Sequence, residues 1–104
     1  MIKVYVSYHE KDIIKIMISG HAMYDDYGKD IVCASVSSTF LCTVNAIFAL
    51  DADSIRVFDE DGQQVLQVLK VEHVVQVLLQ NMIRCLESLV KQYPKNIRLD
   101  KEEE

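Results

Sequence analysis

The chain has 104 residues, half of them hydrophobic and about a quarter charged, with three glycines and one proline, a composition that excludes a fibrous or disordered chain and fits one globular domain spanning residues 1–104. A formal net charge of -5 argues against direct nucleic-acid binding, which needs clustered Lys and Arg. Three cysteines, Cys33, Cys42 and Cys85, with no Cys-x-x-Cys pair, exclude a disulfide scaffold and fit a reducing cytoplasm.

Met1 to Val6 lacks the basic segment and apolar block of a secretory signal, so the mature protein is expected to start here. Ile2, Val4 and Val6 alternate with Lys3, Tyr5 and Ser7, and Ile14, Ile16 and Ile18 repeat that period of two after the polar break His9-Glu10-Lys11-Asp12. This predicts a β-hairpin. Ser19 to Asp30, with Gly20, Gly28 and a run of acidic and aromatic residues, reads as a surface loop, and Asp30 is placed to cap a first helix whose third residue is Cys33. Ile31 to Leu50 carries no charge and as a helix would reach roughly 30 Å, enough to span a bilayer. Ser35, Ser38, Cys42 and Asn45, however, recur at helical spacing, which predicts a buried amphipathic helix and no membrane span.

Further on, Ile55, Val57 and the run Val65 to Val71 flank Asp59-Glu60-Asp61-Gly62, whose Asp-Gly pair predicts a second hairpin. Val75, Leu78, Leu79, Met82, Leu86, Leu89 and Val90 then recur three and four apart, giving a helix from about Glu72 to Tyr93 that Pro94 ends. Ile97 and Leu99 predict a last short strand, and Asp100 to Glu104 reads as a solvated, fraying tail. The class is α+β: two layers, two long helices on one face of a small, mainly antiparallel sheet, in the order β-β-α-β-β-α-β.

The residue with chemical promise is Cys33. A thiol in the first turn of a helix meets the positive end of the macrodipole and unpaired amides, which favour thiolate and can bind an oxyanion. His21, twelve residues earlier, can supply the general acid and base if its loop returns to the helix start. Spacing alone leaves the plainer alternative standing, in which Cys33 is a small buried hydrophobe and His21 a solvated loop residue. Cys42, Cys85, His9 and His73 read as structural, the two cysteines packed inside helices. Asp25, Asp26 and Asp30 match no calcium loop, and Cys33 with His21 lacks the further ligands of a zinc site, so no metal or cofactor is expected.

Gly20-His21-Ala22, then Tyr27-Gly28-Lys29-Asp30-Ile31-Val32-Cys33-Ala34-Ser35-Val36-Ser37, closely resembles the signature of Prp, a family of bacterial ribosomal-processing cysteine proteases. The likeness extends over the whole chain in length and element order. It implies that His21 and Cys33 are catalytic and that Gly20, Asp30 and Ser37 support the site. It also implies that Tyr24 and Tyr27, in a loop closing over an extended peptide, contact the substrate. By the same resemblance the protein is a homodimer that removes the N-terminal extension of a large-subunit ribosomal protein after an apolar, aromatic-rich motif. Met23, where many relatives have glycine, and Ser35, where alanine is usual, depart mildly from the pattern. A non-catalytic module that binds ribosomal proteins through the same groove is the competing expectation.

Overall fold

Strands β1 (Ile2–His9) and β2 (Asp12–Ser19) form the predicted hairpin, turning at Glu10, whose φ is +55°. The structure, a computed structural model, describes residues 1–20 and 27–104, and side chains outside 27–30. The alternation expected for Ile14, Ile16 and Ile18 fails at Ile14. A bulge between Ser7 and Tyr8 shifts the register, so that Tyr8 faces Ile13 while Ser7 faces Lys15, and Ile13 takes the buried place instead.

Helix α1 (Tyr27–Leu50) buries Val32, Val36, Phe40, Val44 and Ile47, spaced four, four, four and three residues apart. Ser35, Ser38, Cys42 and Asn45 lie off that stripe, as expected. Ser35, Thr39 and Thr43 turn their hydroxyls back onto the carbonyls of Ile31, Ser35 and Thr39 at 2.8, 2.8 and 2.9 Å, which satisfies them without outside partners. By length and composition Ile31–Leu50 could cross a membrane, but its buried stripe packs in the protein core.

Strands β3 (Ile55–Glu60) and β4 (Gln63–Val68) turn through Asp61 and Gly62 at φ +53° and +81°, the paired positive values of a type I′ turn. Helix α2 (His73–Gln92) follows, and β5 (Ile97–Glu103) closes a five-stranded sheet in the order β3-β4-β2-β1-β5. Three pairs are antiparallel and β1–β5 is parallel, so the sheet is mainly antiparallel, as expected. Ile2, Val4, Val6, Ile16, Leu66 and Ile97 meet Val36, Phe40, Leu79, Met82 and Leu86 of the helices in one core.

The tail does not fray. Residues Asp100 to Glu103 pair with Tyr5 to Tyr8, and the amide of Glu104 donates to the Tyr8 carbonyl at 2.7 Å. Backbone pairing at a sheet edge is indifferent to side-chain polarity, so the acidic side chains stay in water while the main chain is tied down.

Two polar contacts tie elements together, one joining α2 to β2 and one joining the loops that follow α1 and β4. Gln76 of α2, 5% exposed, accepts from the Ile13 amide and donates to the Ile13 carbonyl, both at 2.8 Å. The β2–β4 ladder reaches only Lys15, so this carboxamide replaces the missing strand. Asp51 accepts from the Asp53 amide at 3.0 Å and pairs with Lys70 at 3.3 Å. The Asp53 amide chiefly holds its carboxyl below the usual range.

Candidate active site

Val32, Val36 and Phe40 anchor α1 to the core and thereby fix the orientation of Cys33, which is half-buried on the adjoining strip of the helix. Cys33, Val36, Ser37 and Phe40 line one wall of a cleft whose other wall is the ends of three strands: Ile2 of β1, Ile18 and Ser19 of β2 with Gly20, and Gln64 of β4. Its volume, counted out to the open mouth, is about 390 Å³. Four apolar side chains, Ile2, Ile18, Val36 and Phe40, dominate the lining, and the polar groups are few and local.

Gly20 is required by the backbone at the point where the chain leaves β2. Its φ is +76°, and a Cβ there would fall 3.2 Å from the Met1 carbonyl carbon and well inside contact distance of its oxygen. Only glycine combines that conformation with so close an approach. The next residue is His21, which with Tyr24 lies outside the described residues. The structure brings the histidine's immediate neighbour to the cleft that Cys33 lines.

Of the sequence candidates, Gly20, Cys33 and Ser37 therefore share one cleft, Ser37 standing one turn beyond Cys33. Tyr27 and Asp30 lie in the first turn of α1, their side chains outside those described. Two expectations need correcting here. Because α1 begins at Tyr27, Asp30 is its fourth residue and does not cap it, and Cys33 is its seventh. Gly28 does not stop the helix, since one glycine costs only about 1 kcal/mol in a long helix. The Cys33 amide thus falls within the helical hydrogen-bond ladder and is not a free oxyanion donor. The second correction concerns Cys42 and Cys85, which are exposed and do not pack inside. Both fall on outward helix positions, beside exposed Leu41 and Arg84.

The sequence reading missed Ile2, Ile18, Phe40 and Gln64. Gln64 had a signal: it stands in phase with Leu66 and Val68 on β4, a polar residue where alternation calls for an apolar one.

Comparison with known proteins gives a consistent result. A family profile described as cysteine protease Prp matches residues 1–98. The ribosomal processing cysteine protease Prp of Staphylococcus aureus is 31% identical over 94 residues, covering 88% of this chain and 89% of that one. Its Bacillus subtilis counterpart is 31% identical over 98 residues, covering 88% of each chain. The crystal structure of the essential S. aureus ribosomal processing protease Prp with a substrate peptide matches at a TM-score of 0.87 and 30% identity, covering 97% of this chain and 99% of that one. The S. aureus enzyme with a covalently linked product peptide gives 0.86.

Proposed function

Because the chain belongs to the cysteine protease Prp family, it is a cysteine protease, and we propose that Cys33 is its nucleophile and His21 its acid and base. The substrate is a large-subunit ribosomal protein, cut in the cytoplasm after an apolar, aromatic-rich motif to remove an N-terminal extension. The observation that carries this reading is the apolar cleft directly beside Cys33, formed by Ile2, Ile18, Val36 and Phe40, which suits apolar side chains preceding the scissile bond. A net charge of -5 favours encounter with a basic ribosomal protein.

In the first half-reaction the Cys33 sulfur adds to the scissile carbonyl carbon while its proton passes to His21. The tetrahedral oxyanion collapses, the C–N bond breaks, and His21 returns the proton to the departing amine. Water then adds to the thioester, giving its proton to His21, and the acid product leaves as Cys33 recovers its thiol. With the Cys33 amide engaged in the helix, the oxyanion must be met by other donors at the cleft. Ser37 supports the nucleophile from the next turn, and Asp30 orients His21 or its loop. Tyr24 and Tyr27 contact the peptide.

The active form is a homodimer. Supporting this, α1 carries no charge from Ile31 to Leu50 and exposes Ile31, Leu41, Phe48 and Leu50, while Ser35, Thr39 and Thr43 turn their hydroxyls onto helix carbonyls, which lowers the polarity of that surface. Light scattering on wild type and Leu41→Glu tests this part, a wild-type monomer refuting it.

Mass spectrometry of an extension peptide incubated with wild type, Cys33→Ala and His21→Ala tests the whole reading. One cut after the aromatic run, lost in both variants, is expected. Substantial cleavage by Cys33→Ala removes that residue from the mechanism, and no cut by folded wild type on peptide or full-length ribosomal protein favours a binding module.

A further inference from the structure

We propose that Gln64 is a substrate-binding residue whose carboxamide pairs with the backbone of one residue of the extended peptide, an inference that rests on the cleft beside Cys33 being the peptide site. Gln64 is the side chain of β4 that enters this cleft, across from Cys33 and Ser37 on α1. It lies opposite Ile18 on one side and Asp59 on the other. Its Nε2 donates to Asp59 Oδ2 at 3.2 Å, and Asp59 is itself fixed, its Oδ1 accepting from the Gly62 amide at 3.2 Å. A carboxylate can only accept, so this contact settles which end of the carboxamide is nitrogen. It leaves Oε1 and the second N–H of Nε2 with no protein partner among the described residues.

One acceptor and one donor side by side in a fixed plane are the complement of the N–H and C=O of a single extended residue, which point the same way. The chain already contains such a pairing. Gln76 offers the same two groups to Ile13 and engages its amide and carbonyl together, standing in for an absent strand. Gln64 carries the same two groups but faces an open, mainly apolar cleft, where two hydrogen bonds to a peptide are shielded from water. The apolar floor then selects the side chain, while Gln64 holds the main chain irrespective of sequence. A tertiary amide at the contacted position, proline or an N-methyl residue, removes the donor that Oε1 needs.

The test uses an extension peptide of the ribosomal protein spanning the cut, in unmodified form and with single N-methyl groups placed in turn along it. Affinity is read by fluorescence anisotropy on Cys33→Ala and on Cys33→Ala with Gln64→Met, a change that keeps the cleft wall and removes both hydrogen-bonding groups. The second protein is expected to bind the unmodified peptide about tenfold more weakly with an unchanged thermal midpoint, because among the described residues the Gln64 side chain bonds only to exposed Asp59. At one position N-methylation weakens binding to the first protein and leaves the second unaffected, the non-additivity of two groups in contact. In the otherwise wild-type enzyme Gln64→Met raises KM by a similar factor with kcat little changed. Equal affinity of the two proteins, or N-methyl effects that add fully at every position, overturns the proposal. Because the affinities need no turnover, failure of wild type to cleave counts against the protease reading and leaves this comparison to decide Gln64 separately.

Discussion

Replacing Gly20 by alanine separates the two demands made on that position. The left-handed conformation at φ +76° costs an alanine about 1 kcal/mol. The approach to the Met1 carbonyl adds a second cost, because the peptide joining Met1 to Ile2 is not free to yield: the Ile2 amide donates to Asn96 at 2.9 Å. Adjustment therefore falls on Gly20 and the residue after it, His21. A displacement on the order of 1 Å there is the scale at which catalytic alignment loses about a hundredfold. Gly20→Ala should thus lose about 2 kcal/mol of stability and about a hundredfold in kcat/KM. Gly62→Ala supplies the control, since its φ is +81° but nothing lies within 4 Å of the added carbon. It should cost about 1 kcal/mol and leave cleavage intact. Urea unfolding and peptide cleavage measured on both variants, under conditions where each is fully folded, decide the matter. Equal stability and equal activity of the two variants would refute the close-approach argument.

Gln76→Leu strips both polar partners from the buried Ile13 backbone and should lower unfolding free energy by about 3 kcal/mol, measured by urea denaturation, with a loss under 1 kcal/mol counting against the clamp. The Asp51 carboxyl is held below its ordinary pKa when folded, so its contribution is present above the unfolded value of about 3.9 and fades as pH falls through the lower folded value. The stability gap between wild type and Asp51→Asn should therefore narrow on going from pH 7 toward pH 3; a gap that widens in acid would reverse the assigned sign. Deleting residues 100–104 removes the β5 pairs with Tyr5 to Tyr8 and should lower the thermal midpoint, whereas a fraying tail could be removed without effect.

The order of seven elements was legible from the period-two runs of the strands, the three-and-four spacing of α2 and the turn residues Asp61, Gly62 and Pro94 that bound them. What escaped was set by tertiary context. The bulge that exchanges Ile14 for Ile13 in the core depends on the register of two strands and on Gln76 arriving from a helix some sixty residues away. The start of α1 was misplaced because Gly28 reads locally as a loop residue, while a long, well-anchored helix absorbs it. The tail was misread because polarity describes side chains, and β5 is held by its backbone. Gly20, Cys33 and Ser37 were visible as local motif residues. The cleft they share was not, because its remaining walls come from residues 2, 18 and 64, which only the sheet order brings together. Gln64 was marked by its phase on β4, but a polar residue on an inward position acquires meaning only once an open cleft is seen in front of it.

The measurement that bears on the nucleophile is acid-quench mass spectrometry of the enzyme during turnover of the extension peptide. An adduct with the mass of the N-terminal fragment, mapped by digestion to Cys33, released by hydroxylamine and absent from Cys33→Ala, is the expected thioester. An adduct on exposed Cys42 or Cys85, or continued cleavage by Cys33→Ala, would contradict the assignment.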